Sequence, residues 1–233
     1  MLSSSDRSPG ASALRRAASA GAASLLLATA SAQAVTYTET GDAGQTLAGA
    51  QSTAGSSGAL SDVFGSLSSS TDADLFVIRV TDAAAFSATT VNATGGWLDT
   101  QLFLLSSSGA PIVVNDDDAG GLTTLSTLPA GSVVSLAPGL YVLGVSMSGY
   151  DPMNVNAQLL FASGLPTALR GPAFGLQPAT LGGFADNTFF ADSGAYDVML
   201  TGAAVATAVP EPASALLLAL GAAGLGLWRR RSA

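Results

Sequence analysis

Asn115-Asp116-Asp117-Asp118, followed by Ala119-Gly120-Gly121, is the densest run of chemically capable side chains in the sequence. Adjacent carboxylates repel one another unless protons or a cation relieve them. A hard cation such as calcium takes about 6 to 8 oxygens at roughly 2.3 to 2.6 Å. A tight turn can aim only part of such a run at one ion, so Asp72, Asp74 and Asp99 are the natural partners if the fold gathers that end of its strands. The spacing is not that of an EF-hand: counting from Asp116, the fifth place is Gly120 and the twelfth is Thr127, where a bidentate glutamate belongs. The competing reading is a solvated acidic turn whose Asn and Asp brace their own backbone through Asx hydrogen bonds.

Other chemistry is narrowed by what the chain lacks. There is no histidine, cysteine or lysine among the 233 residues. That argues against Ser-His-Asp or Cys-His nucleophilic catalysis, structural zinc, haem and iron-sulfur ligation. A glycoside hydrolase can be built from two carboxylates alone, but Glu39 is the only glutamate before the C-terminal segment, and nothing marks a substrate cleft. Catalysis is therefore not expected, and such a hydrolase is the remotest alternative. Sugar binding is the better rival. Trp97 beside Gly95-Gly96 and Tyr150 beside Gly149 and Asp151 are aromatics on turns near acids, able to stack on a glycan ring or to pack on a sheet edge.

The elements that must position these residues read as short strands. In Asp74–Val80, Phe76, Ile78 and Val80 alternate with Leu75, Val77 and Arg79, the period of two that defines a strand. Residues 85–91, 97–105, 111–115, 132–136, 139–146, 156–161 and 194–202 are further candidates, separated by Gly, Ser, Asn, Asp and Pro. No useful window keeps a helical period, so the fold class is all-β, a β-sandwich or jelly-roll-like domain. Residues 51–71 are rich in Ser and Gly and are expected to be a flexible connection. Residues 163–192, with three prolines, read as an irregular insertion before the last strand. Its Phe174, Phe184, Phe189 and Phe190 either form a contact patch or fold back over a sheet.

Charge is distributed unevenly. Six of the eight arginines lie in the two terminal segments, and residues 35–209 hold 14 acids against Arg79 and Arg170, a net of −12. Such a surface repels nucleic acid and favours cations. At the N-terminus Arg15-Arg16 precede a small-residue and apolar stretch that ends in Ala32-Gln33-Ala34. This is the grammar of a signal peptide over residues 1–34, for export through the Sec machinery, with cleavage after Ala34. At the other end an apolar run, 213–228, is followed by Arg229-Arg230-Arg231. As a helix it spans roughly 24 Å, short of a hydrocarbon core of about 30 Å, so it is a marginal single anchor in the inner membrane. The positive-inside bias leaves the arginines in the cytoplasm and residues 35–209 on the far side.

Pro210-Glu211-Pro212 stand just before that run and keep the chain extended there. With the apolar run and Arg229 to Arg231, in that order, the tail over 210–233 resembles that of PEP-CTERM proteins. The resemblance implies a sorting signal removed by an exosortase in Gram-negative bacteria that make extracellular polysaccharide. The middle of the chain resembles the bacterial pre-peptidase C-terminal (PPC) domain. The shared features are Asp72-x-Asp74 before an aromatic strand, Asp99-Thr100-x-Leu102-x-Leu104, an Asn-Asp-Asp turn and Pro138-Gly139-x-Tyr141. That resemblance implies a non-catalytic β-sandwich, calcium-binding in some members. The resulting expectation is an exported protein of the cell surface or exopolysaccharide matrix, sorted by its tail. Its alternative is a calcium-assisted, lectin-like module for extracellular polysaccharide.

Overall fold

The computed structural model describes residues 34–208 except 56–57, 92–97, 134, 178 and 190–191, with no side chains described for 207 and 208. The signal segment before Ala34, Trp97, Phe190 and the whole tail from 209 to 233 lie outside the described residues. Within them every regular element is a strand. In chain order these are β1 (Ala34–Thr38), β2 (Gln51–Ser52), β3 (Ala54–Gly55), β4 (Ala59–Leu67), β5 (Ala73–Val80), β6 (Ser87–Val91), β7 (Thr100–Ser106) and β8 (Pro111–Asn115). They continue with β9 (Thr127–Leu128), β10 (Gly139–Met147), β11 (Tyr150–Met153), β12 (Gly183–Asp186), β13 (Gly194–Thr201), β14 (Ala203–Val205) and β15 (Thr207–Ala208).

The main sheet runs β8-β7-β10-β5-β14-β4-β13-β6-β9, with β1 added in parallel to β4 and β2 in parallel to β5. It folds on itself about β14, which pairs with both β4 and β5. One layer is therefore β8-β7-β10-β5 and the other β4-β13-β6-β9. Between them lies a shared core with Phe76 and Ile78 from β5, Leu104 from β7 and Leu143 from β10 on one side, and Val63 from β4 and Val198 from β13 on the other. The far seam is closed by hydroxyls. Thr90 and Thr100 share a 2.8 Å hydrogen bond, the Ser126 hydroxyl donates to the Thr100 carbonyl at 2.6 Å, and the Thr127 amide donates to Asn115 Oδ1 at 2.8 Å.

The predicted alternation holds where it was strongest. Phe86, Ala88 and Thr90 are buried together, and so are Phe76, Ile78 and Val80. β5, β7 and β10 are apolar on both faces because both faces are covered. Leu75, Phe103, Leu105 and Val142 form a second cluster with Leu160, Phe161 and Leu176 from beyond β11. Segment 163–192 is thereby tied to the sheet. Val114 bridges Arg170, Phe161 bridges Pro172, and β12 pairs with β11. Phe184 packs on Phe103, whereas Phe174 and Phe189 are exposed.

Three expectations are corrected. Residues 51–71 are not a flexible connection: they contain β2, β3 and the nine-residue β4, a central strand flanked by β1, β13 and β14. The composition misled because β4 breaks the period of two. Its ladder with β1 shifts register between Val35 and Thr36, so the buried residues are Leu60, Val63 and Leu67. Nor are residues 132–136 and 156–161 strands. In the first, Ser135 takes φ 67°, which ends any extended run, although Val133 and Leu136 still pack on the core. The second makes only single bridges, Met153 to Leu159 and Phe161 to Pro172.

Candidate functional site

Gly65 on β4 stands directly opposite Tyr196 on β13. A side chain at 65 would overlap the Tyr196 phenol, so the missing Cβ lets that ring lie across β4. Tyr196 is buried, and its hydroxyl crosses to the other layer, donating to Asp74 Oδ2 at 2.6 Å. Asp74 shares the inward face of β5 with Phe76, is fully buried, and its Oδ1 has no hydrogen-bond partner. Burial pushes the Asp74 carboxyl up to about 8, against the lowering effect of the Tyr196 hydrogen bond and with Glu39, Asp72 and Asp42 adding to the rise. Burial and then Asp74 hold the Tyr196 phenol well above its usual range.

The other acids come from nearby turns. Glu39 follows β1. Its amide donates to the Phe64 carbonyl, and its own carboxylate receives the Ala43 amide at 2.8 Å and the Ser66 amide at 2.9 Å. Asp42 receives the Gly44 amide at 3.0 Å. Asp72 receives the Ser68 amide at 2.6 Å and Gln45 Nε2 at 3.5 Å. Glu39, Asp42 and Asp74 each place a carboxylate oxygen within 4.8 Å of the others.

The second group lies at the same end of the same layer. β5 begins there, β10 ends there with Ser146 opposite Ala73, and β7 begins there with Thr100 opposite Met147. Asp99, Asp116 and Asp117 therefore share an edge with Asp72 and Asp74. They do not share a centre. β10 intervenes between β5 and β7, two strand spacings of about 10 Å in total, and each carboxylate responds to its own group. The Asp99 carboxyl is pushed up to about 6 by burial, then by Asp117 and Asp192. That of Asp116 is also raised to about 6 by burial, with Asp99 and Asp117 reinforcing the rise and Ser148 and Arg170 opposing it. Asp99 Oδ1 and Asp116 Oδ1 have no partner, while Asp116 Oδ2 receives the Ser148 hydroxyl at 3.1 Å.

The rest of the acidic run braces the turn. Asn115 is buried and clamps Thr127. Asp118 Oδ1 receives the amides of Leu122 at 3.0 Å and Thr123 at 2.9 Å, and its Oδ2 receives that of Gly120 at 3.2 Å. Those bonds, the Thr123 amide first, hold its carboxyl below the usual range. The Asp116 and Asp117 amides both donate to the Pro166 carbonyl. Tyr150, one of the two aromatics expected to meet a glycan, donates to Gln45 Oε1 at 2.7 Å and stacks on Phe184 with centroids 4.9 Å apart. One ring face is thus covered from within the protein.

Glu39 entered the sequence reading only as a rare glutamate and Asp42 not at all. The signal that links them is not local, since it depends on the parallel pairing of β1 with β4.

Ala34, the last residue before the expected signal cleavage, is the first residue of β1, and β15 ends at Ala208, two residues before Pro210. No curated protein matches the chain. The PEP-CTERM protein-sorting motif matches residues 208–231, which include Pro210, Glu211, Pro212 and the three arginines. That motif implies an exported protein that passes through a membrane-anchored intermediate and is sorted by an exosortase.

Proposed function

We propose that this is a non-catalytic, exported β-domain that acts at the cell surface or in an exopolysaccharide matrix, delivered there when its tail is processed. The observation that carries this reading is the sorting motif at 208–231, attached directly to the last strand of a sheet-rich domain. Only Val209 separates β15 from Pro210. The folded domain is therefore held within a few residues of the membrane until the tail is cut, and is set free as an intact body afterwards. The carboxylates support a structural role. Asp118 braces its turn, Asp72 holds Ser68, and Asp74 links the two layers through Tyr196.

The test is intact mass on protein recovered separately from membranes and from medium of the host. The expected species lacks the residues before Val35 and those beyond the Pro-Glu-Pro region. A membrane form that keeps Arg229 to Arg231, with no shorter species anywhere, would overturn the proposal. Deleting residues 210–233 should send the domain into the medium; unchanged fractionation would count against sorting by this tail.

A further inference from the structure

Resting on the tail-anchored form proposed above, we infer that one end of the sandwich is a lipid-contacting surface. The uncharged turns beside the exit of the tail, with Leu140 and Phe174, lie against the headgroups of the bilayer and turn the acidic end away from it. Three observations carry this: where the tail leaves, where the charges are, and which side chains stand exposed.

The ladders place the exit. β1 and β4 begin side by side, with Ala34 opposite Ala59, and Ala204 pairs with both Ala59 and Arg79 near the end of β5. β15 closes with Ala208 paired to Gly55, and a Cβ at 55 would touch Val35. The chain therefore leaves the domain where β1 starts. β5 finishes and β10 begins at the same end, Val80 opposite Gly139, and the turn from β7 to β8 lies there too. From Ala208 to Ala213, where the apolar run begins, the chain reaches at most about 18 Å. The headgroup layer takes up roughly 5 to 7 Å of that, so this end cannot stand far from the lipid.

Charge divides the two ends. The turns at the exit end are 81–86, 106–111, 129–132 and 137–139, and Asp82 is their only ionisable side chain. Asp82 receives the amides of Ala84 and Ala85 at 3.0 and 3.2 Å, and Arg79 stands beside the exit, donating to the Ala206 carbonyl at 3.2 Å. Glu39, Asp42, Asp72, Asp99 and the Asp116 run all lie at the other end, which an anionic lipid surface repels. The exposed apolar groups complete the surface. Leu140 on β10 is exposed, and Pro111, Ile112, Val133, Leu136, Tyr141 and Pro172 line a shallow hollow of about 320 Å³ at this end. Phe174 follows Pro172 by two residues and is fully exposed, in a segment whose Leu181 amide donates to Gly109 in the turn from β7 to β8. Apolar side chains grouped at a surface mark a contact with protein or membrane. The tail selects the membrane, since it brings this end and no other to the bilayer.

The chain has no cysteine, so single nitroxide labels can be placed through Leu140→Cys, Phe174→Cys and Leu122→Cys. Leu122 is the control, equally apolar and exposed but in the Asp118 turn of the acidic end. Each tail-bearing chain is reconstituted in nanodiscs of phosphatidylethanolamine and phosphatidylglycerol, and circular dichroism verifies that it folds. Collisions of the label with oxygen, which concentrates in lipid, are compared with collisions with a water-soluble nickel chelate. The expected oxygen-to-nickel ratio is severalfold higher at 140 and 174 than at 122. Equal ratios at all three positions, in chains that stay with the nanodiscs, would overturn the contact and leave the anchor standing. Labels at 140 and 174 shielded from both reagents would also overturn it, with a second copy of the chain as the occupant. A chain that does not enter the nanodiscs at all would overturn the tail-anchored form and the contact together.

Discussion

The two acidic groups share one end of the sandwich but differ in how they are made. Around Asp116 the acids are neighbours in sequence, and the turn itself absorbs much of their capacity: Asp118 is bonded to Gly120, Leu122 and Thr123. Around Asp74 the residues come from four stretches of chain, Glu39 and Asp42, Gly65, Asp72 and Asp74, and Tyr196, and they converge on a buried point. At Asp118 local crowding is relieved by local hydrogen bonds, although Asp116 beside it keeps an unpartnered Oδ1. Convergence from a distance leaves a buried carboxyl that its own loop cannot satisfy.

The sharpest way to break this contrast is at the glycines. Gly65→Ala puts a methyl group where the Tyr196 ring lies, and neither the ladder opposite nor the buried ring can give way. Overpacking of this kind costs about 3 kcal/mol, visible as a lowered urea midpoint. Gly120→Ala in the other group meets Asp118 Oδ2 at 3.1 Å and otherwise ordinary contacts, at a residue without positive φ. It should shift the midpoint little. Equal losses in the two variants would refute the idea that only the Asp74 group is closely packed.

Next in size is Tyr196→Phe. It removes the hydroxyl that bonds Asp74 Oδ2 and leaves both oxygens of a buried carboxyl without partners. Loss of a partner to a buried polar group costs roughly 1 to 3 kcal/mol. The ring itself stays in place, so the near-ultraviolet signal should persist while the midpoint falls. A neutral outcome would mean that Asp74 has water or an ion in reach.

Much of the fold that carries these sites was legible. β5, β7, β10 and β13 announce themselves as short apolar runs bounded by turn residues, and the edge shared by Asp72, Asp74, Asp99 and Asp116 lies where β5 and β7 start and β8 stops. What was not legible depends on non-local pairing. β4 hid behind Ser and Gly, because its bulge breaks the apolar period and Gly65 contributes space instead of a side chain. β14 reads as three small residues, yet it joins the layers. The Glu39 and Asp42 contribution requires β1 to lie parallel to β4, a register that no short motif encodes. Conversely, the run at 115–118 is conspicuous because its polar residues are adjacent in sequence, although Asn115 and Asp118 serve the backbone.

A third test uses pH on the Asp116 side. Asp99 and Asp116 are each raised to about 6 in the folded chain, mainly by burial. The folded state therefore binds protons there that the unfolded chain releases. Their contribution to stability is fully present below the ordinary carboxylate range and is lost as pH rises from about 4 through 6. Urea midpoints should fall across that window, and Asp116→Asn should flatten the fall. An unchanged slope would show that the carboxyl is hydrated in solution.

Asp118 in the same turn supplies the smallest effect and the opposite sign. Its carboxyl is held below the usual range by the amides of Thr123, Gly120 and Leu122 and the Thr123 hydroxyl, so it favours the folded state when ionised. That contribution is present above the ordinary aspartate value and is lost as pH falls through the depressed one. Asp118→Asn keeps an oxygen for some of those amides but removes the charge. It should lower the midpoint slightly at neutral pH and not at all under acid conditions, and added salt should narrow the difference at this solvent-facing turn. If Asp118→Asn instead flattened the fall between about 4 and 6 as Asp116→Asn is expected to, the three aspartates of the run would be titrating as one coupled unit, and the division between backbone-bracing and buried acids within it would have to be abandoned.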